Sequence, residues 1–175
     1  MKQDMIAQLH LDKEPEGRFE LVPLNAMDSS AFNEVVNRFG DGPLTIVNEG
    51  LLMYLNTEEK KQLCKTIHSV LSQRGGCWIT ADVYVKRPEM QAHLPQSKSE
   101  TAFFEQHNIE ENKFDSYEAA QSFFREQGLE LVKEAMPNYQ ELSVTPHLLN
   151  TLPQELRNSK EPPPKIQATW MLKAV

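Results

Sequence analysis

The sequence predicts an α/β domain with a mainly parallel sheet. Apolar runs typical of strands alternate with amphipathic helical segments along the 175 residues. One run, PLTIVNEG at 43–50, is short, apolar and rich in β-branched residues, which is typical of a strand covered on both faces. The segment 56–75 carries the clearest helix signals. In sheets of this kind ligands bind beyond the carboxyl ends of the strands, so the residues that follow each run are candidate site residues.

The first elements are a strand and a helix. Residues 18–24 alternate as a strand does, and Pro23 ends that strand or places it at a sheet edge. A helix follows, with Asp28 or Ser29 as its N-cap and Gly40 as its end. Its apolar stripe consists of Phe32, Val35, Val36 and Phe39.

The next elements are a strand at 43–48, a helix at 56–75 and a strand at 77–84. Asn56 with Glu59 three residues later predicts a capping box. The apolar face of this helix is formed by Leu63, Ile67, Val70 and Leu71, and Gly75-Gly76 end it. TEEKK, residues 57–61, is interpreted as a solvated face with charge pairs.

The pattern is weaker after residue 85. The polar segment 86–114 contains a possible helix near 100–108. Asp115, with Glu118 three residues later, predicts a helix that Gly128 ends. The remaining elements are strands at 129–135 and 166–174, joined through a connecting segment at 145–158 with a short helix. EPPP at 161–164 is a spacer too close to the last strand to divide domains, so residues 1–175 are interpreted as a single domain.

Composition excludes several classes of protein. A formal net charge of −7 argues against a nucleic-acid partner. No apolar run approaches the ~20 residues of a membrane span, and residues 1–17 have no signal-peptide core, so a cytoplasmic protein without membrane contact is expected. Cys64 and Cys77 have no partners at metal spacing and are predicted to be buried free thiols. The five histidines, at 10, 68, 93, 107 and 147, also lack such spacing, so no metal site is predicted.

The segment 42–85, GPLTIVNEGLLMYLNTEEKKQLCKTIHSVLSQRGGCWITADVYV, resembles class I S-adenosylmethionine-dependent methyltransferases. It is most similar to the branch that contains leucine carboxyl methyltransferases and the O-methyltransferases of polyketide pathways. That branch carries E-G-x-L-M-Y-L at the end of its fourth strand, and residues 49–55 match this motif throughout. The resemblance implies S-adenosylmethionine as the cofactor and O-methyl transfer to a small molecule or a carboxylate.

The resemblance also implies roles for three residues. Glu49 would accept a hydrogen bond from the α-ammonium group of the cofactor's methionine moiety. Asn25 stands where the family usually has Asp beside the adenine, and Ala26 follows it. An amide oxygen can still accept from an adenine amino group, although this is a departure from the family. No catalytic base is identified.

A Rossmann-like methyltransferase sheet with helices on both faces and a closing antiparallel hairpin is the fold that the resemblance implies. The chain would be truncated at its N-terminus, because QDMIAQL at 3–9 resembles the helix after the family's second strand. None of the 7 glycines forms a GxGxxG-like cluster, so the first two strands and the glycine-rich cofactor turn are expected to be absent and cofactor binding to be weak. The chain is interpreted as a fragment of a longer protein or a decayed gene product.

Several residues keep two interpretations. Glu49 is a ligand-holding carboxylate or an ordinary strand-end residue, and Asp82 is a substrate-side acid or, preferably, a strand-terminal turn residue. Tyr54 is an active-site phenol or a packing residue. Phe103 and Phe104 lie in the segment 86–114, which either covers a substrate or simply packs.

Three functions are compatible with this pattern. The first is a methyltransferase acting on a small-molecule substrate, inactive as this chain alone. The second is a non-catalytic remnant that serves as an interaction or oligomerisation module through exposed strand edges, which includes a homo-oligomer. A different Rossmann-like nucleotide binder is the third, and the lack of a glycine-rich turn counts against an intact version of it.

Overall fold

The computed structural model of the protein describes residues 20–86, 98–136, 143 and 165–175. The chain divides into two compact units, 1–38 and 39–175, and each is described by itself. The predicted elements at 145–158 and the histidines at 10, 93 and 147 lie outside the described residues.

The described part of the first unit contains one helix, α1, at Ser29–Val36. Asp28 caps it by accepting hydrogen bonds from the backbone of Ser30 and Ala31, at 2.9 and 3.0 Å. The helix ends at Val36, before the predicted end near Gly40.

The strand predicted over 18–24 is wrong for the residues described, because residues 20–25 have no regular secondary structure. An alternating sequence forms a strand only where a neighbouring strand supplies hydrogen bonds, and Pro23 cannot donate one.

The second unit is built on a four-stranded sheet. Its strands are β1 at Leu44–Asn48, β2 at Gly76–Tyr84, β3 at Leu129–Glu134 and β4 at Gln167–Ala174, in the order β1-β2-β4-β3. β1 and β2 are parallel, whereas β4 is antiparallel to both β2 and β3. The predicted α/β class, the positions of these strands and the closing antiparallel pair are confirmed. The prediction of a mainly parallel sheet is wrong for the described strands, because β4 returns between β2 and β3 and only one of the three pairings is parallel.

A 3₁₀ helix at Leu52–Tyr54 and the long helix α2 at Thr57–Arg74 connect β1 to β2. The predicted capping box is confirmed, since the side chain of Asn56 accepts from the backbone of Glu59 at 3.0 Å and the reverse bond is 2.8 Å. The predicted apolar face of α2 is buried. The interpretation of TEEKK as a solvated face holds for the pair Lys61–Glu58, at 2.7 Å, but is wrong for Lys60, which is 4% exposed.

Helices α3 at Lys98–Gln106, α4 at Ile109–Asn112 and α5 at Tyr117–Glu126 lie between β2 and β3 along the chain. The N-cap predicted at Asp115 is instead Ser116, whose hydroxyl accepts from the backbone of Ala119 at 3.1 Å. The helix begins at Tyr117, one residue too late for Asp115 to be its N-cap, and the Asp115 carboxylate instead accepts from Lys86 at 2.7 Å.

An aromatic cluster fills the core against β2 and β4. Phe124 of α5 lies edge-on to Trp78, with ring centroids 5.6 Å apart, and also contacts Trp170 at 6.1 Å and Phe114 at 5.8 Å. Trp78, Trp170 and Phe124 are all fully buried. By contrast, β1 was predicted to be covered on both faces, and this is wrong for the described structure: Thr45 and Val47, which share one face of this edge strand, are exposed.

The two cysteines differ in environment. Cys64 is buried, as predicted, and burial raises the pKa of its thiol to about 12. Cys77 is a free thiol, as predicted, but it is only half-buried, so the prediction that it is buried is wrong.

Lys60 joins α2 to the segment that precedes α5. Its ammonium donates to the backbone carbonyls of Leu55, at 2.7 Å, and Asn112, and it lies 5.3 Å from the centre of the Phe114 ring. Burial lowers the pKa of Lys60 from 10.5 to about 8, while the neighbouring Cys64 and Glu59 oppose the shift.

We expect folding stability to rise between pH 8 and pH 9. With the folded pKa of Lys60 at about 8 and the unfolded value at 10.5, the unfolded chain binds more protons in this interval, so the free energy of unfolding increases with pH. The increase should be roughly 0.5–1 kcal/mol. The raised pKa of Cys64 acts in the opposite direction, weakly between pH 8 and pH 9 and more strongly above pH 9. Urea unfolding of the wild type and Lys60→Met at both pH values tests this, and an equal rise in the variant would contradict it.

Candidate functional site

The turn after β1 carries the strongest candidate from the sequence, Glu49. It lies between Asn48, the last residue of β1, and Gly50, whose φ is 65°. Glu49 is exposed, and no side chain or backbone donor in the described part of the chain is hydrogen-bonded to its carboxylate. A carboxylate at the carboxyl end of a parallel strand is therefore open to a ligand.

Asp82 holds this turn in place. Its Oδ1 accepts from the backbone N–H of Gly50 at 2.6 Å, and its Oδ2 accepts from those of Leu51 and Leu52 at 2.6 and 3.1 Å. Oδ2 also accepts from the side-chain amide of Asn48 at 2.6 Å. The preferred interpretation of Asp82 as a strand-terminal turn residue is wrong: it lies within β2, where the pairing with β4 shifts register, and is 2% exposed.

Asn48 extends this network into the core. Its side-chain oxygen accepts from the indole N–H of Trp78 at 2.6 Å, while its amide donates to Asp82. In the parallel register Asn48 pairs with Thr80, which is fully buried. Both polar atoms of the Asn48 side-chain amide are thus hydrogen-bonded, and they connect the start of the turn to the aromatic core.

Tyr84, at the end of β2, is a further residue of the site that the sequence analysis did not single out. Burial raises the pKa of its phenol, and the nearby carboxylates of Asp82 and Glu49 raise it further. The side chain of Gln167 on β4 partly opposes this rise in the pKa of Tyr84, and it donates to the carbonyl of Ala81 at 2.6 Å. The phenol is therefore protonated at neutral pH and lies close enough to Glu49 to sense its charge.

Tyr54 belongs to the 3₁₀ helix after the turn and is 40% exposed. Its ring lies edge-on to those of Phe103, at 6.3 Å, and His107, at 5.7 Å, and Phe103 in turn contacts Phe104 at 6.1 Å. The packing interpretation of Tyr54 thus has direct contacts in its favour. Asn112 adds a bond from its amide to the carbonyl of Met53, at 3.3 Å.

Asn25 and Ala26 lie in the first unit. The side-chain oxygen of Asn25 accepts from the backbone of Met27 at 3.1 Å, and its carbonyl accepts from that of Asp28 at 3.0 Å. This is an Asx-turn that leads into α1. The adenine role of these two residues stays a prediction.

One concavity of the second unit lies away from the turn. A groove of about 310 Å³ between α2 and α5 is lined mainly by charged and amide side chains, among them Lys61, Lys65, His68 and Glu126, and by none of the residues of the turn. Across the described ranges no group of His, Cys, Asp and Glu side chains could hold a metal ion. None of the helices in those ranges has the length and apolarity that a bilayer crossing requires.

No protein-family model and no curated protein matches the sequence. Solved structures that are similar include LepI in complex with SAM and one described as a pericyclic reaction enzyme, each with a TM-score of 0.46 and 10% sequence identity. Each match covers 98% of this chain and 34% of the other, so the chain spans about a third of the length of these structures.

Proposed function

We propose that the chain is part of an S-adenosylmethionine-dependent O-methyltransferase and supplies the carboxylate that binds the methionine end of the cofactor. The observation that carries this proposal is Glu49: an exposed carboxylate, without a partner in the described structure, on a turn whose backbone is fixed at the carboxyl end of a parallel strand. The E-G-x-L-M-Y-L match at 49–55 supports the same assignment.

The chemistry suits a cationic ligand group. The α-ammonium of the cofactor would donate to Glu49 in a charge-assisted bond, which is stronger than a neutral one. The nearby carboxylate of Asp82 is fully used by the turn, so Glu49 alone would meet the cation. Methyl transfer itself depends largely on placing the acceptor oxygen in line with the sulfonium methyl group.

The finer parts of the proposal come from the resemblance. Asn25 and Ala26 would contact the adenine, the segment 86–114 would cover a small-molecule or carboxylate acceptor, and the protein would act in the cytoplasm. Cofactor affinity is expected to be weaker than low-micromolar, because no glycine-rich turn is present in the sequence. Each missing hydrogen bond removes about 1 kcal/mol of binding free energy.

Glu49→Gln tests the proposal. The variant keeps the shape and one acceptor but loses the charge, so the ammonium loses roughly 1.5–3 kcal/mol of interaction, which corresponds to a tenfold to hundredfold weaker affinity. Melting temperature should change little, because the side chain is exposed. The measurement is an NMR titration of the full chain with S-adenosylhomocysteine up to millimolar concentration.

Glu130→Gln is the matched control, because Glu130 is an exposed glutamate on β3, away from the turn. It should bind as the wild type does. Equal affinity of Glu49→Gln and Glu130→Gln would return Glu49 to the role of a strand-end residue, and so would a large loss of stability in Glu49→Gln with affinity intact.

A non-catalytic module is the second candidate, and one observation favours it. β1 is the outermost strand of the described sheet and contains no charged residue or proline, and Val47 is 66% exposed on it. Such an edge can pair with another strand, including that of a second copy. Sedimentation that shows a concentration-dependent dimer, together with no response to S-adenosylhomocysteine, would favour this candidate.

A further inference from the structure

Asp82 is an unusual residue for the middle of a strand. Its carboxylate is almost completely buried, and a buried charge is tolerated only when hydrogen bonds satisfy it. Asp82 receives four: three from the backbone N–H groups of residues 50–52 and one from the side chain of Asn48. All four donors belong to the last residue of β1 or to the turn that follows it, and none belongs to the strand that carries Asp82.

These bonds hold the residues immediately before and after Glu49. The residue before it is held through its side chain, and the residue after it is held through its backbone N–H. The Cα of Glu49 therefore has little freedom, although its side chain is exposed. A ligand that binds the Glu49 carboxylate meets a group whose backbone is already ordered, which lowers the entropic cost of binding.

We propose that Asp82 is the positioning residue of the Glu49 site: its carboxylate fixes the 48–52 turn and thereby places the carboxylate that binds the ligand cation. The part of this inference that concerns ligand affinity rests on the proposed function. Asp82 itself does not touch the ligand, because its oxygens are engaged with the turn.

The inference requires a carboxylate at this position. An ionised Asp only accepts hydrogen bonds, and its two oxygens offer enough lone pairs for four donors. In Asp82→Asn, one oxygen is replaced by an NH₂ group that faces N–H donors of the turn. At least the N–H of Gly50 then loses its acceptor, and the donors that met Oδ2 keep only a neutral acceptor, although the side chain has nearly the same size.

Amide hydrogen exchange followed by NMR tests the first half of the proposal. In the wild type, the amides of residues 50–52 should exchange at least tenfold more slowly than the amides of an unbonded loop. In Asp82→Asn they should exchange at least tenfold faster than in the wild type, while the amides of β3 keep their protection. Asp41→Asn, at an exposed position, is the control and should change neither.

The double variant D82N/N48D adds a rescue arm. It exchanges the carboxylate and the amide across the bond between positions 48 and 82, so that a donor again faces an acceptor there. The new NH₂ group would then occupy the site of Oδ2, so we expect only the amide of Gly50, whose acceptor is Oδ1, to regain protection, while those of Leu51 and Leu52 do not. If Asp82→Asn fails to fold, the wild-type measurement still decides: unprotected amides at 50–52 overturn the proposal, and protected amides support it.

Affinity for S-adenosylhomocysteine tests the second half and separates this proposal from the proposed function. We expect Asp82→Asn to bind about tenfold more weakly than the wild type. Weaker binding by Glu49→Gln with unchanged binding by Asp82→Asn would overturn the positioning role. If the turn loosens in Asp82→Asn but neither variant changes affinity, the proposed function is wrong, and the role of Asp82 in fixing the turn stands without a ligand.

Discussion

Gly76→Ala is expected to destabilise the protein by about 4 kcal/mol, which combines backbone strain and overpacking. Gly76 begins β2 with a φ of 105°, a conformation that L residues other than glycine rarely adopt. A Cβ at this position would lie 2.7 Å from both the backbone nitrogen and the carbonyl carbon of Leu44, and still closer to its carbonyl oxygen. Leu44 is the parallel-sheet partner of Gly76, so neither strand can move away without loss of pairing.

Urea unfolding of Gly76→Ala and Gly42→Ala measures this effect. Gly42 is the control because a Cβ there has no atom within 4 Å and its φ is not positive. Gly42→Ala should differ from the wild type by less than about 0.5 kcal/mol. A loss below about 1 kcal/mol in Gly76→Ala would mean that β1 and β2 do not approach each other as described.

Phe124→Ala is expected to cost 3–5 kcal/mol, the usual range for truncating a buried aromatic residue. The ring of Phe124 contacts four other aromatic rings, those of Trp78, Phe114, Phe123 and Trp170, and is 1% exposed. Both tryptophans are on central strands and are fully buried, so the space left by the ring cannot be filled by an inward movement of surface groups.

Phe123→Ala provides the comparison within the same helix. Phe123 precedes Phe124 and is only half-buried, so about 1–2 kcal/mol is expected for its truncation. Chemical denaturation of both variants gives the difference. Equal losses of stability in the two variants would mean that Phe124 does not face the core more than Phe123 does.

Most of the second unit's architecture was predictable because its signals are local. The capping box at Asn56 and Glu59 requires only four residues, and the strand positions follow from short apolar runs. Two failures have a different origin. Residues 20–24 alternate as a strand does, and Thr45 and Val47 look like core residues, but both predictions depended on neighbours that the described structure does not place beside them.

The site was predictable only in part. Glu49 was found from its place after β1, since the position of a strand-end residue depends on its own strand. The role of Asp82 requires the register between β1 and β2 and the shift near Thr80, neither of which can be derived from one sequence. One signal was available: an acid within the apolar run CWITADVYV needs buried hydrogen-bond donors.

The order of the strands also determines when the sheet can form. β4 lies between β2 and β3, yet it is the last of the four strands along the chain. Trp78 of β2 therefore pairs with Leu172 of β4, although most of the second unit's sequence separates these two residues. Contacts between residues far apart in sequence form late and slowly, because closing the long loop costs entropy before any pairing is gained. During synthesis, β2 and β3 therefore stay without their shared partner until residues 167–174 have left the ribosome. Until then the backbone edges that β4 later pairs stay open on both strands, and open strand edges are the sites at which chains pair wrongly with one another.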